Sequence, residues 1–102
     1  MKNDKLTVQS MDLTSKVFIP DNVLFRKLEE ESILLNLDDE MYYGLDEIGT
    51  HMLVALESSE SINAASSQLL TEFNVDSDQL REDLLELIVK LLEHKLIIVS
   101  KM

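Results

Sequence analysis

The chain contains no cysteine, so neither a disulfide scaffold nor a thiolate metal site is available to it. Two glycines and one proline are too few for a collagen-like or low-complexity design. Basic residues are scarce. Nine Lys and Arg stand against 20 Asp and Glu, giving a formal net charge of -11 at pH 7 and a pI near 4.4. A duplex binder must set several Lys or Arg against phosphates, and the same acidic field repels anionic membrane surfaces. Apolar runs fall short of the roughly 18 residues of a membrane span. The lysines within residues 1–10 have no hydrophobic segment behind them of the kind a secretory signal carries. The expectation is a soluble, cytoplasmic protein with neither nucleic acid nor membrane as partner.

Catalytic and metal-binding patterns are missing as well. His51 and His94 are the only histidines, and no His-Glu-x-x-His or comparable ligand spacing surrounds them. No Gly-rich phosphate loop is present. Asp76-Ser77-Asp78 differs from the Asp-Ser-Leu of carrier proteins at its third residue, and the strands before it do not suit an all-helical carrier. The sequence therefore points to a non-enzyme with no metal and no cofactor.

What is there is one small domain. The 102 residues are 45% hydrophobic and 28% charged, the balance of a folded soluble chain. A chain of this size buries only about two-thirds of its unfolded surface, so its core is thin. Surface potential steers encounter, and this one favours a peptide or protein partner of basic character.

Residues 1–16 are polar and mixed, read as an N-terminal arm that is either an edge strand or unstructured; residues 17–102 are read as the domain. Pro20-Asp21-Asn22 is a turn cluster. Strands are expected over residues 23–28, 32–37 and 41–45, separated by Glu29-Glu30-Glu31 and Asp38-Asp39. Connections this short force an antiparallel meander, because parallel pairing needs a long crossover. The period then becomes helical. Asp46 is a good N-cap, and Ile48, Met52, Ala55 and Leu56 share a face. Gly49 in the first turn suggests a close helix–strand approach. Ser61 caps a second helix with Ile62, Ala65, Leu69 and Phe73 on one side, and Asn74 is read as its left-handed terminator. Asp76 and Gln79 resemble a capping box opening a third helix that runs to about His94. A short apolar tail, Leu96-Ile97-Ile98-Val99, follows. The fold class is α+β: a three-stranded antiparallel sheet followed by three helices, winged-helix-turn-helix-like.

Two features suggest a binding slot. On the third helix Leu84, Leu85, Leu87, Ile88, Val89, Leu91 and Leu92 cover an apolar arc of about 200°, twice the stripe of a one-sided surface helix. Such a helix needs cover on two sides, and the second cover is the apolar tail, a sister chain or a partner in a groove. The third strand, Met41-Tyr42-Tyr43-Gly44-Leu45, ends the meander and carries no charge or proline of the kind that blunts an edge. An open edge beside an apolar wall is an acceptor for an added peptide strand. The third helix carries Asp78, Glu82, Asp83, Glu86 and Glu93 against Arg81 and Lys90, so as a recognition helix it would be repelled by phosphates.

The run from Ile33-Leu34-Leu35-Asn36-Leu37-Asp38-Asp39-Glu40 through Met41-Tyr42-Tyr43-Gly44-Leu45-Asp46-Glu47-Ile48-Gly49 resembles the strand–turn–strand–helix signature of PqqD-like proteins, as do Glu72-Phe73-Asn74-Val75-Asp76, Asp83-Leu84-Leu85-Glu86-Leu87-Ile88 and Lys95-Leu96-Ile97. The likeness covers about residues 23–99, and the family more often has Gly where Lys95 stands. The stand-alone form with a Tyr-bearing third strand is most similar to leader-binding proteins of lasso-peptide clusters. The resemblance implies a recognition element that binds the leader of a ribosomally made precursor peptide by strand addition, without catalysis, and presents it to a leader peptidase, a cyclase or a radical enzyme. By position it selects Met41, Tyr42, Tyr43 and Gly44 on the strand, and Asp83, Leu84, Leu87 and Ile88 on the helix, as peptide-binding residues. Two readings stand beside it: a structural module whose wide helix is covered in a homodimer, and a winged-helix regulator domain.

Overall fold

A computed structural model of the chain describes residues 12–101. In chain order the elements are β1 (Lys16–Phe18), β2 (Val23–Leu28), β3 (Glu31–Asn36), β4 (Tyr42–Leu45), α1 (Glu47–Ser58), α2 (Ile62–Glu72), α3 (Ser77–Glu93) and β5 (Ile98–Ser100). β2, β3 and β4 form the expected antiparallel meander, with β3 central. Three helices follow, so the architecture is mixed α+β with a winged-helix-like layout. The turns on either side of β3 each hold a glutamate in the left-handed region, Glu29 with φ 63° and Glu40 with φ 61°. At the second turn Asp39 Oδ1 accepts from the Met41 N–H and Asn36 Oδ1 from the Asp38 N–H, side-chain bonds that fold the chain back without glycine.

At the termini the structure adds a strand pairing that the sequence reading did not include. β1 and β5 pair antiparallel, Val17 opposite Val99, in a separate two-stranded sheet. Residues 12–16 belong to the fold. The Ser15 and Leu13 carbonyls accept from the Ile62 and Asn63 N–H groups at the start of α2. Lys16 Nζ donates to the Glu57 and Ser59 carbonyls at the end of α1. One short segment thus satisfies orphan groups of two helix ends. The rest of the expected arm, residues 1–11, lies outside the described residues.

The helix caps follow the sequence. Asp46, Ser61 and Asp76 each accept from the N–H three residues on, at Gly49, Ala64 and Gln79. The capping box at Asp76 is half formed, because the Gln79 amide donates to Asp83 Oδ1 at 2.9 Å instead. The left-handed terminator expected at Asn74 does not form. Phe73 is the C-cap of α2 with extended backbone, and Glu29, Glu40 and Lys95 are the only described non-glycine residues with positive φ. The chain leaves α2 by straightening, not by a left-handed turn. α3 ends in a complete Schellman motif: the Leu96 N–H reaches the Leu91 carbonyl and the Lys95 N–H the Leu92 carbonyl, with Leu91 and Leu96 both buried. Lys95 holds the left-handed position at φ 59°, where glycine would carry no Cβ strain.

The core lies between the inner face of the sheet and the helices. Leu34, Leu53, Leu56, Ile62, Leu69, Leu84, Ile88 and Leu91 are its largest fully buried side chains. Ser32 on β3 and Thr50 on α1 share a buried hydroxyl hydrogen bond of 2.7 Å, which satisfies two polar groups that would otherwise cost free energy inside. The wide apolar arc of α3 is mostly consumed here. Leu80, Leu84, Leu85, Ile88 and Leu91 are buried, and Leu96 and Ile97 of the tail join the same cluster.

Candidate functional site

The hydrogen-bond direction along β3 tells which backbone groups of β4 face outward. The Asn36 N–H donates to the Met41 carbonyl and the Leu37 N–H to the Asn22 carbonyl. Partner direction alternates residue by residue in an antiparallel ladder, so the even-numbered residues of β3 face β4. Leu34 lies opposite Tyr43 and Ser32 opposite Leu45. Tyr43 and Leu45 therefore spend their N–H and C=O groups on β3, while Tyr42 and Gly44 turn theirs to the margin. Among the described residues no strand pairs there.

A cleft of about 550 Å³ opens beside this margin, between β4, the start of α1 and the outer side of α3. Tyr43 and Asp46 line it from the sheet side, and Ile48, Gly49 and Met52 from α1. From α3 come Asp83, Glu86, Leu87, Val89, Lys90 and Glu93. Gly49 sets the closeness of α1 to β4: a Cβ there would stand 3.3 Å from Asp46 Oδ1 and 3.3 Å from Leu45 Cδ2, tight enough that the N-cap would have to shift. Tyr43 is braced from the far end of α3. Its ring centroid lies 5.1 Å from that of His94, tilted at 46°, and His94 Nδ1 is 2.9 Å from the Lys90 carbonyl. A smaller pocket of about 250 Å³ also touches Tyr43 and Glu93, and adds Met41, Tyr42 and His94.

The cleft is apolar at its middle and acidic along its rim. Asp46, Asp83, Glu86 and Glu93 face a single cation, Lys90, and ion pairs among the described residues lie elsewhere, at His51–Glu72, Arg81–Asp78 and Lys101–Asp12. Among the described residues no group of His, Asp and Glu stands together as a metal would need, and no helix is long and apolar enough to cross a membrane.

Of the residues selected from the sequence, Tyr43, Asp83 and Leu87 meet at the cleft. Met41 and Tyr42 line the smaller pocket. Gly44 sits on the margin in open space, where an added Cβ would meet nothing within 4 Å. Leu84 and Ile88 do not line the cleft. Both are 0% exposed and belong to the buried core cluster. Sequence reasoning passed over Glu86, Lys90 and His94. The signal was present in helical spacing: from Asp83, steps of three and four residues reach Glu86, Leu87, Lys90 and His94 along one side of α3.

Known proteins share this fold. The sequence model of coenzyme PQQ synthesis protein D, PqqD, matches residues 31–97, well over half of the chain. The chain belongs to the PqqD family. Among solved structures it is similar to TbiB1 in complex with the TbiA(beta) leader peptide, with 26% identity and a TM-score of 0.73 over 78% of this chain and 93% of that one. Lasso peptide synthetase B1 complexed with the leader peptide shares the fold at 16% identity and a TM-score of 0.73, over 81% of this chain and 98% of that one. Comparison with curated proteins gives no match.

Proposed function

We propose that the chain binds the leader segment of a ribosomally made precursor peptide as an added strand on β4 and presents it to modifying enzymes. The observation that carries this reading is a cleft beside a margin that no strand pairs with among the described residues. Tyr42 and Gly44 offer two N–H and two C=O groups outward, and the cleft lies directly beside them. A guest strand on that margin would draw its main-chain bonds from Tyr42 and Gly44. The guest residue opposite Tyr43 would send its side chain to the same face as Tyr43, into the space between Ile48, Met52 and Leu87. Family membership and the two leader-peptide complexes of similar fold support the same conclusion.

The role proposed is non-catalytic and cytoplasmic, with a leader peptidase and a cyclase as the enzymes served. The acidic rim favours a leader with basic residues flanking its apolar ones. A synthetic leader of the precursor peptide encoded beside this protein's gene, titrated into the chain by calorimetry, should bind with one-to-one stoichiometry. The reading is wrong if that leader fails to bind, or if Gly44→Pro, which deletes an outward N–H, binds it as tightly as the parent chain does.

A further inference from the structure

The face of the sheet turned away from the cleft has the features of a second contact surface. By strand alternation it carries Leu24, Leu35 and Tyr42 in one cross-strand row and Arg26, Ile33 and Gly44 in the next, with Leu28 beyond. Leu24, Leu28 and Tyr42 are exposed, with the exposed Arg26 between the two leucines, and exposed apolar side chains grouped on one face mark an interaction site. The two ends of this face are acidic. Glu29 and Glu30 make the β2–β3 turn with Glu31 opening β3, and Asp38, Asp39 and Glu40 lie at the β3–β4 turn, all exposed. None of the six is in an ion pair among the described residues.

We infer that this outer face docks a second protein, one presenting a short apolar ridge bracketed by Lys or Arg groups roughly 20 Å apart, the length of a six-residue strand. A second copy of the chain is the wrong occupant on two counts. Three short strands offer on the order of 300 Å², against about 800 Å² per partner in a stable interface. Face-to-face packing would also bring three carboxylates from each end of one copy towards those of the other. A partner with basic ends converts that repulsion into attraction and enlarges the contact past the apolar strip. The resulting interface is small, salt-sensitive and transient. It lies on the opposite side of the sheet from the cleft, so both can be filled together.

The test uses the full chain and two designed 16-residue amphipathic helical peptides, each with a leucine stripe, one with two Lys at each end and the other with two Glu. Amide chemical shifts are followed at low salt. The Lys-ended peptide should bind at least tenfold tighter than the Glu-ended one, with shifts at Leu24, Leu35, Tyr42 and both turns. Leu24→Ser, at an exposed position, should weaken it about tenfold, and so should the turn variant Glu29→Gln/Glu30→Gln. Equal binding of the two peptides, no binding, or shifts confined to Tyr42, Tyr43, Gly44 and Leu87 would overturn the inference. So would a concentration-dependent dimer abolished by Leu24→Ser, which would make a second copy the occupant. Leader titration is a separate readout at the cleft, so failure here leaves the proposed function standing, and the reverse.

Discussion

β2 and β4 are both margins of the same three-stranded sheet, yet the chain treats them differently. On β2 the alternation sends the backbone groups of Val23, Phe25 and Lys27 outward. The Val23 N–H is already taken by the Pro20 carbonyl at 3.0 Å, and the exposed Arg26 and Lys27 put two charges on the strand, a common way to discourage edge pairing. β4 has no charge and no proline, among the described residues nothing bonds to the outward groups of Tyr42 and Gly44, and it borders a cleft. Among the described residues the sheet is guarded on one side and open on the other. An opening confined to the margin that adjoins a cavity is what a strand-accepting site requires, since the backbone supplies affinity and the cavity reads alternate side chains.

The sharpest way to break this contrast is a pair of proline variants one residue apart. Tyr43→Pro removes an N–H that faces β3, so it should cost about 3 kcal/mol or more of folding stability. Gly44→Pro removes one that faces the margin, where proline is tolerated. It should change stability by less than about 1 kcal/mol while weakening leader binding about tenfold, the worth of one hydrogen bond with its steric consequences. Denaturant melts of both variants and calorimetry of the second check this. Equal destabilisation by both would mean the two N–H groups do not face opposite ways.

A second pair separates the two sides of α3. Leu84→Ala should cost about 2–5 kcal/mol of stability, as buried leucine truncations do. Leu87→Glu, at the half-buried cleft wall, should spare the fold and lower leader affinity about tenfold by placing a fifth carboxylate at an apolar contact. A third variant acts where the chain turns behind β4. The Asn36 amide donates to the Lys95 carbonyl at 3.3 Å, tying the end of β3 to the left-handed turn. Lys95→Gly relieves that conformation and should stabilise the protein by about 1 kcal/mol in a thermal melt.

The smallest effect is expected far from either margin. Lys101 Nζ lies 2.8 Å from Asp12 Oδ2. Its hydrogen bond, followed by those from the Thr14 hydroxyl and N–H, holds the Asp12 carboxyl well below the usual carboxylate range; the same contact raises Lys101. A depressed folded-state carboxyl stabilises the fold above its unfolded value near about 4, and that contribution is lost as the pH falls towards the folded value. Lys101→Ala should move the Asp12 titration upward in a carboxyl NMR series, with little change in the melting curve because the pair is exposed.

Most local chemistry was legible in the sequence, the terminator at Asn74 excepted, and the pairing of the two termini was not. The caps at Asp46, Ser61 and Asp76 and the tight approach at Gly49 rest on residue types within a few positions of one another. The likeness read from the sequence puts glycine more often where Lys95 stands, and the left-handed φ of 59° at Lys95 is a conformation that suits glycine. The β1–β5 pairing joins residues 16–18 to residues 98–100, and nothing local marks two three-residue segments as partners. Arc width on α3 reported how much of the helix needed cover without saying what covers it. Leu84 and Ile88 went to the core for that reason, and Leu87 alone of the selected leucines and isoleucine reaches the cleft. The acidic rim was also hidden, because Asp46 and Asp83 are far apart in sequence and meet only through the packing of α1 and α3 beside β4.

Hydrogen exchange at the Tyr42 and Gly44 amides, with and without bound leader peptide, tests the central claim most directly. In the free chain both should exchange rapidly while the Tyr43 and Leu45 amides are protected, and saturating leader should slow Tyr42 and Gly44 by at least tenfold. Protection of Tyr42 and Gly44 already present in the free chain, or exchange unchanged by a leader that binds, would contradict it.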